Sequence, residues 1–261
     1  MKILQVDDLK TYFRSRQGPV RAVDGVSFEI ENNKVFGLVG ESGSGKTLTA
    51  LSIVRLIPEG GYFAGGRILF NEKDLLTAED KDLRKLRGSK ISIVFQDPSS
   101  SLNPVFTVGY QIAEAILAHQ DISHPAAAEL ALEFLRRVHI ADPKRIFHDY
   151  PHQLSGGTKQ RISIAMALVN SPELVILDEP TTALDVTIQA QILDLLTEII
   201  EKEKLSMLFI SHDFGIVARM CDEVGVMYKG KIVERGPTRQ VLNSPKEPYT
   251  ISLLESVKAL A

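Results

Sequence analysis

The sequence predicts an α/β fold whose parallel strands end at one polar edge, and two patterns carry this prediction. Apolar runs with the length of buried strands occur at 34–39, 91–95, 174–177 and 207–211. Each run ends in glycine-rich or polar residues, as expected where the carboxyl ends of parallel strands meet a crevice. Apolar residues at i, i+3 and i+4 predict helices between the strands, at 108–117 and 126–138.

The first apolar run is followed by a glycine-rich segment that fits the pattern G-x-x-x-x-G-K-[ST]. The segment consists of Gly40, Glu41, Ser42, Gly43, Ser44, Gly45, Lys46 and Thr47. A strand before it and an apolar helix after it are the surroundings that a phosphate-binding loop requires. The glycines let backbone N–H groups face a β-phosphate, Lys46 brings a charge to the β- and γ-phosphates, and the Thr47 hydroxyl binds Mg²⁺. The alternative, a glycine-rich turn without a ligand, leaves both flanks unexplained.

Two carboxylates follow the apolar run at 174–177. Asp178 at the strand tip is placed to bind Mg²⁺, and Glu179 just beyond it is placed to orient or deprotonate an attacking water. Adjacent acids in different surroundings can hold two such roles. A pair of solvated acids at a strand end is the alternative, and the phosphate-binding loop upstream disfavours it.

His212 and Gln96 follow two other runs. His212 would donate a hydrogen bond to the γ-phosphate or hold the water, and Gln96 offers a neutral amide to Mg²⁺ or the water. A single histidine after a strand is more often a structural or surface residue, but the matching chemistry at neighbouring strand ends favours a functional one. Pro98 ends regular structure directly after Gln96, so this glutamine is predicted to couple the nucleotide to a different lobe.

A Leu-Ser-Gly-Gly segment at 154–157 opens a predicted helix that runs through 161–168. Ser155 is predicted to cap this helix, while Gly156 and Gly157 present backbone N–H groups at its positive end. The chain already has a phosphate-binding loop for its own nucleotide. These N–H groups therefore point to a nucleotide that a second molecule holds.

With these segments in this order, the chain resembles the ATP-binding subunits of ABC transporters over nearly its whole length. The resemblance identifies the P-loop, the Q-loop Gln96, the LSGG signature, the Walker B carboxylates, the D-loop at 183–185 and the switch histidine His212. It implies a P-loop NTPase (RecA-like) core with an N-terminal antiparallel β region and an inserted α-helical subdomain. It also implies ATP and Mg²⁺ as the molecules that the site binds.

The resemblance further implies how ATP is held. Its adenine would stack on an aromatic residue shortly before the strand at 22–28, which favours Phe13 over Tyr12. Such stacking is worth about 1–3 kcal/mol and reads no base edge. A core position in an N-terminal strand is the alternative for Phe13. MgATP would be hydrolysed at a dimer interface, where the signature loop and Asp185 of one subunit meet the nucleotide of the other.

One ABC ATPase domain is predicted for the whole chain. Its nucleotide-binding core lobe would comprise 1–96 and 160–240, its helical and signature lobe 97–159, and its C-terminal tail 241–261. The coupling helix of a membrane permease would dock near 103–106.

Segments 95–104 and 245–254 resemble the branch of the family that imports oligopeptides, dipeptides and nickel. Many peptide-branch subunits continue into a cysteine-rich tail thought to hold an iron–sulfur cluster. This chain ends at Ala261 and its single cysteine is Cys221, so no iron–sulfur cluster is expected. The tail is closer to that of nickel-type members, and a short peptide-type subunit fits as well.

Composition favours a globular subunit that works with membrane partners. With 44% hydrophobic and 24% charged residues the chain is ordinary for a globular protein, and no apolar stretch approaches the ~20 residues of a membrane helix. A net charge of −3 disfavours nucleic acid as a partner. We expect a peripheral subunit at the cytoplasmic face of the inner membrane. Its partners would be a second ABC ATPase subunit, related more than identical, two permeases and, indirectly, a solute-binding protein.

Three other functions compete with transport. A soluble non-transport ABC ATPase usually has tandem cassettes or long coiled-coil arms, and this sequence shows one cassette and no such arms. A P-loop kinase or metabolic enzyme has no use for a signature loop. A non-catalytic cassette would not need the intact set Lys46, Asp178, Glu179 and His212.

Overall fold

The structure, a computed structural model, describes residues 1–182 and 184–260. Its strands are β1 (Lys2–Phe13), β2 (Val20–Glu31), β3 (Val35–Val39), β4 (Gly61–Phe70), β5 (Lys73–Asp74), β6 (Ile91–Val94), β7 (Leu174–Asp178), β8 (Ser206–Ser211), β9 (Glu223–Tyr228) and β10 (Lys231–Pro237). Its helices are α1 (Lys46–Ile53), α2 (Asp80–Leu86), α3 (Pro98–Ser101), α4 (Val108–Leu117), α5 (His124–Arg137), α6 (Pro143–His148), α7 (Gly156–Leu168), α8 (Val186–Glu203), α9 (Phe214–Met220), α10 (Thr238–Asn243) and α11 (Pro248–Leu260).

The chain divides into two compact units, of which the first contains residues 1–83 and those described from 206 onward. In this unit β2, β1, β4 and β5 form an antiparallel sheet in that order. A second group of strands has the order β10, β9, β3, β8, and β3 pairs in parallel with both β8 and β9. The N-terminal antiparallel region and the parallel strands that carry the P-loop therefore lie in the same unit.

The second unit contains residues 84–205 and is mainly helical. Its strands β6 and β7 pair in parallel, from Ile91 beside Leu174 to Val94 beside Leu177. The helix predicted at 108–117 is confirmed with those bounds as α4. The helix predicted at 126–138 is also confirmed, although α5 begins two residues earlier, at His124, because the Ser123 hydroxyl accepts a hydrogen bond from the Ala126 N–H.

Every residue of β3, β7 and β8 is buried. A strand covered on both faces needs apolar residues at consecutive positions, so these strands appear in the sequence as continuous apolar runs. The predicted α/β fold is confirmed. The predicted lobe bounds were drawn from the chemistry of the motifs rather than from packing, and they stay a prediction.

Within the described residues, no helix combines the length and the apolar character that crossing a lipid bilayer requires.

Candidate functional site

The P-loop joins the end of β3 to the start of α1 in a conformation that its glycines permit. A Cβ atom on Gly40 would lie 2.2 Å from the Met227 carbonyl oxygen, and one on Gly45 would lie 2.5 Å from the Ala22 carbonyl oxygen. Gly45 also has a φ of +108°, and Gly43 has a φ of +78° with no atom within 4 Å of its missing Cβ. The first and last glycines are therefore required by close backbone packing, and the middle one by its backbone angle.

Lys46 is folded back over the loop. Its ammonium group donates hydrogen bonds to the carbonyl oxygens of Gly40, at 2.8 Å, and Glu41, at 2.9 Å. Only 4% of the residue is exposed, so the positive charge is fixed rather than mobile in solvent. Among the described residues, the buried Ser44 hydroxyl has no hydrogen-bond partner. A fixed cation and an unused polar group inside a glycine-lined loop fit an anionic ligand.

The remaining P-loop residues lie at its open side. Glu41 and Ser42 are exposed before the central glycine, and Thr47 is exposed in the first turn of α1. The Ser44 carbonyl oxygen accepts a hydrogen bond of 2.9 Å from the Gly230 N–H, which ties the loop to the turn between β9 and β10. The loop thus presents Ser42 and Thr47 outward, while the Ser44 hydroxyl is buried and the backbone is held from the inside.

His212 lies at the same edge as the P-loop. Val39 pairs with Ser211 in the parallel register of β3 and β8, so the next residues along each strand, Gly40 and His212, leave the sheet side by side. His212 is exposed, and the following Asp213 caps α9 by accepting hydrogen bonds from two N–H groups. The structure therefore brings these two predicted site residues together.

Phe13 is the last residue of β1 and is half buried. Its ring lies over Gly61, where a Cβ atom would be 3.0 Å from the ring edge. Tyr12 is engaged elsewhere, because its hydroxyl donates a hydrogen bond of 2.5 Å to Asp24. This hydrogen bond lowers the pKa of Asp24 and raises the pKa of Tyr12. The Tyr12 ring is therefore held in place by its hydroxyl group, whereas the Phe13 ring has no polar group that would fix it in the same way.

In the second unit, the structure brings Gln96 and Glu179 together. The side-chain amide of Gln96 donates a hydrogen bond of 3.1 Å to Glu179 Oε2. The parallel register explains this contact, since Val94 lies beside Leu177 and each side chain follows two residues later. Asp178, by contrast, is the buried end of β7 and is only 2% exposed. The two adjacent carboxylates therefore lie in different surroundings, which allows them two different roles.

Thr182 also holds the Glu179 carboxylate, and sequence reasoning did not identify it. Its hydroxyl donates a hydrogen bond of 3.0 Å to the same Oε2 atom. Glu179 itself has a φ of +49°, which is uncommon for a residue with a side chain. Such strain at a site is often part of its geometry. The signal available in the sequence was the pair of threonines directly after Asp178, Glu179 and Pro180.

The signature helix α7 begins at Gly156, and the prediction that Ser155 caps it is confirmed. The exposed Ser155 hydroxyl accepts a hydrogen bond of 3.3 Å from the Thr158 N–H. A Cβ atom on Gly157 would lie only 2.5 Å from Ile188 Cγ2, whereas one on Gly156 would meet Leu184 at an ordinary 3.5 Å. Gly157 is therefore required by packing inside this chain.

The predicted D-loop residues at 183–185 precede α8. Asp185 is the N-cap of this helix and accepts a hydrogen bond of 3.0 Å from the Ile188 N–H. Ile188 is the residue that packs against Gly157, so the cap of α8 and the start of α7 meet around one side chain. Ala183 lies outside the described residues.

Comparison with known proteins decides the family. Residues 23–182 match the family model described as ABC transporter. The chain belongs to the ABC transporter family. Among curated ABC proteins it is 49% identical to the probable peptide ABC transporter ATP-binding protein y4tR of Sinorhizobium fredii over 98% of this chain and 76% of that protein. It is also 49% identical to the dipeptide transport ATP-binding protein DppD of Bacillus subtilis, over 99% of this chain and 78% of that protein.

The fold of this ABC subunit also agrees with a solved structure. The dimeric structure of a bacterial ABC transporter cassette superposes with a TM-score of 0.81 and 25% identity, over 90% of this chain and 99% of that one. The expected P-loop NTPase core with its antiparallel and helical regions is thereby confirmed. As a member of this family the chain is an ATP-hydrolysing subunit of an ABC importer.

Proposed function

We propose that this chain drives import by hydrolysing MgATP at a composite site shared between two ATP-binding subunits. The observation that carries the proposal is the geometry of the P-loop, in which Lys46 is held on two loop carbonyl oxygens. Backbone N–H groups of the P-loop and the Lys46 charge would bind the phosphates. Phe13, part-exposed over Gly61, would stack on the adenine.

The Mg²⁺ ligands would be the Thr47 hydroxyl, the Asp178 carboxylate and the Gln96 amide oxygen. These are hard oxygen donors, of the kind that Mg²⁺ prefers alongside phosphate oxygens and water. Mg²⁺ would neutralise charge on the β- and γ-phosphates. Asp178 suits this role better than Glu179, because it is buried at the strand tip while Glu179 is only half buried.

Glu179 would act on the attacking water. The hydrogen bonds from Gln96 and Thr182 both end on Oε2, so they fix the rotamer of the carboxylate. A fixed carboxylate can orient a water for in-line attack and accept its proton. His212, beside the start of the P-loop, would donate a hydrogen bond to the γ-phosphate. Lys46 would stabilise the negative charge that develops on the β-phosphate of ADP, the leaving group.

The signature loop would serve the nucleotide of the partner subunit. Ser155 and Gly156 are exposed at the start of a helix of 13 residues, where backbone N–H groups and the helix dipole favour an anion. Asp185 would lie at the same interface, since Ile188 links the starts of α7 and α8. Binding of ATP would close the dimer, and loss of the γ-phosphate would release it.

An exposed aromatic patch supports docking on a membrane permease. Val105, Phe106 and Tyr110 are 69%, 41% and 49% exposed, and the rings of Phe106 and Tyr110 stack with centroids 4.7 Å apart. The side-chain amide of Gln111 braces this segment by donating to the carbonyl oxygens of Asn103 and Phe106, both at 3.0 Å. A rigid, exposed aromatic pair is typical of an anchor in a protein interface.

The relatives named above support a class of solute, since they are named for peptides and dipeptides. We propose peptides as the imported solute, with nickel-type small solutes as the second candidate. The subunit would lie at the cytoplasmic face of the membrane. Its complex would contain a related second ATPase subunit and two permeases, and a solute-binding protein would deliver the cargo.

The test is reconstitution of this chain in vesicles with its permeases and second ATPase subunit. Uptake of a labelled dipeptide and release of phosphate are measured with and without MgATP and binding protein. We expect uptake that requires MgATP, and a parallel measurement with Ni²⁺ separates the two solute classes. A chain that hydrolyses ATP at full rate alone and never co-purifies with permeases would instead be a soluble non-transport ABC ATPase.

A further inference from the structure

The start of α11 touches the P-loop, although the two contacting residues are 208 positions apart in sequence. The Tyr249 hydroxyl accepts a hydrogen bond of 3.4 Å from the Glu41 N–H. This N–H belongs to the backbone of the loop that would bind the phosphates. Tyr249 is only half buried, so its ring lies at the outer side of the loop rather than inside the core.

Tyr249 also reaches the loop by a second route. Its ring packs on Tyr228 with centroids 4.1 Å apart. Tyr228 ends β9 and begins the turn whose Gly230 N–H donates to the Ser44 carbonyl oxygen at 2.9 Å. The same tyrosine therefore supports the loop directly at Glu41 and, through one turn, at Ser44.

The segment before α11 is anchored independently of the loop. The Glu234 carboxylate, on β10, accepts hydrogen bonds from the N–H groups of Lys246 at 2.8 Å and Glu247 at 3.2 Å. Burial alone would raise the pKa of Glu234, but the hydrogen bonds to its carboxylate outweigh burial and lower the pKa. Thr250 and Leu254 of α11 are buried. Tyr249 is thus held in place by contacts on both sides of it in sequence.

We propose that Tyr249 is a positioning residue for ATP, which fixes the first half of the P-loop in its nucleotide-binding conformation. This inference rests on the proposed role of the P-loop and extends it to the C-terminal segment. A loop whose N–H groups are already aligned loses less conformational entropy when the triphosphate arrives. Tyr249 touches no reacting atom, so it would affect nucleotide affinity and leave the chemical step unchanged.

The experiment compares nucleotide affinity and turnover in Tyr249→Phe, Tyr249→Ala and Glu234→Gln. Ser252→Ala, on an exposed position of the same helix, is the matched control. Dissociation constants for a fluorescent ATP analogue are measured on the full chain, which contains no tryptophan to interfere. KM for ATP and kcat are measured in the assembled transporter, and thermal unfolding shows whether each variant is folded.

Tyr249→Phe keeps the ring and loses only the acceptor, so the dissociation constant should rise roughly 2- to 10-fold, the factor of one net hydrogen bond. Because water can reach the Glu41 N–H, a value near the lower end is expected. Tyr249→Ala also loses the aromatic pair with Tyr228 and should raise the dissociation constant by about 10-fold or more. Glu234→Gln should raise the dissociation constant as well, because it weakens the hydrogen bonds that hold the segment before Tyr249. In all three kcat should stay within about 2-fold of the wild type, and KM should follow the dissociation constant.

The inference is overturned if Tyr249→Phe and Tyr249→Ala bind ATP like the wild type and like Ser252→Ala. It is also overturned if kcat falls while KM stays constant, because that result places Tyr249 in the chemical step or in coupling. Should Tyr249→Ala fail to fold, the result for Tyr249→Phe decides. Failure of the wild type to bind ATP would instead contradict the proposed function itself.

Discussion

Glu179 is the residue whose surroundings define its chemistry most clearly. Glu179→Gln keeps the shape of the side chain and removes the negative charge, so ATP should still bind while hydrolysis slows roughly 10²- to 10⁴-fold, the usual contribution of a general base. Phosphate release by the assembled transporter and retention of labelled ATP measure the two effects. Thr182→Ala, which removes one of the two hydrogen bonds to Oε2, should slow turnover far less. Near-normal turnover in Glu179→Gln would remove this residue from the role.

Tyr12 and Asp24 form a polar pair that contributes to stability rather than to the site. Because Tyr12 lowers the pKa of Asp24 in the folded protein, the pair stabilises the fold above the usual carboxyl range, and this contribution is lost as the pH falls through the lowered pKa. Tyr12→Phe should therefore destabilise the protein at neutral pH, and the difference from wild type should disappear in acid. Urea unfolding at pH 7 and below the carboxyl range tests this. A difference that does not depend on pH would exclude the linkage.

At the scale of single residues, the sequence predicted the site residues whose contacts are local in the chain or are determined by where strands end. Gln96 and Glu179 meet because two parallel strands end at the same edge, which the apolar runs predicted. Thr182 and Tyr249 were not predicted, because their contacts depend on the path of loops. No periodic pattern encodes such a path.

The packing of α7 on α8 allows a prediction at the scale of elements. Gly157→Ala would place a Cβ atom 2.5 Å from Ile188 Cγ2, and overpacking of this kind costs about 1–3 kcal/mol, against at most ~1 kcal/mol gained in helix propensity. We expect a lowered free energy of unfolding in Gly157→Ala and an unchanged or slightly raised one in Gly156→Ala, where no clash offsets the gain in helix propensity.

Second-site variants make the prediction for Gly157 specific. In an Ile188→Ala background, which lacks Cγ2, Gly157→Ala should no longer lower the stability relative to Ile188→Ala alone. In an Ile188→Val background, which keeps Cγ2, Gly157→Ala should still lower it. Denaturant midpoints of the single and double variants give the coupling energy. If Gly157→Ala costs the same stability in the Ile188→Ala and Ile188→Val backgrounds, Ile188 Cγ2 is not the atom that disfavours a side chain at position 157.

Among whole elements, the buried parallel strands were predictable and the antiparallel sheet was less so. The strands β3, β7 and β8 are continuous apolar runs because both faces are covered. The register of β1 shifts along its length, at Val6 to Leu9 for example, and its burial does not alternate cleanly. Bulged strands of this kind break the period of two on which prediction of half-exposed strands depends.

At the scale of the whole molecule, the central prediction is that the signature loop serves the partner's nucleotide. Ser155→Arg should leave ATP binding to the same chain's P-loop nearly intact and abolish hydrolysis at the composite site that it caps. The long side chain would displace the N–H groups from the partner's γ-phosphate and remove the helix cap.

Paired lesions distinguish capping of the partner's nucleotide from capping within one chain. Ser155→Arg combined with loss of the partner's P-loop lysine would damage one composite site twice and leave the other assembled. Ser155→Arg combined with Lys46→Ala in the same chain would damage both sites. Nucleotide retained per site and ATPase rate are measured in each pairing. The reverse pattern, or a monomer that ignores Ser155→Arg and turns over as fast as the complex, contradicts the shared site.

The contact between Gly157 and Ile188 also affects the order in which these two positions can be substituted during evolution. A side chain at position 157 would meet Ile188 at 2.5 Å, so substitution of this glycine is costly while the isoleucine is present. A smaller residue at position 188 removes that cost, so the order in which 188 and then 157 change is the less destabilising one. Divergence is therefore easier from the α8 side of this contact, and the glycine is favoured as long as a branched residue remains at position 188.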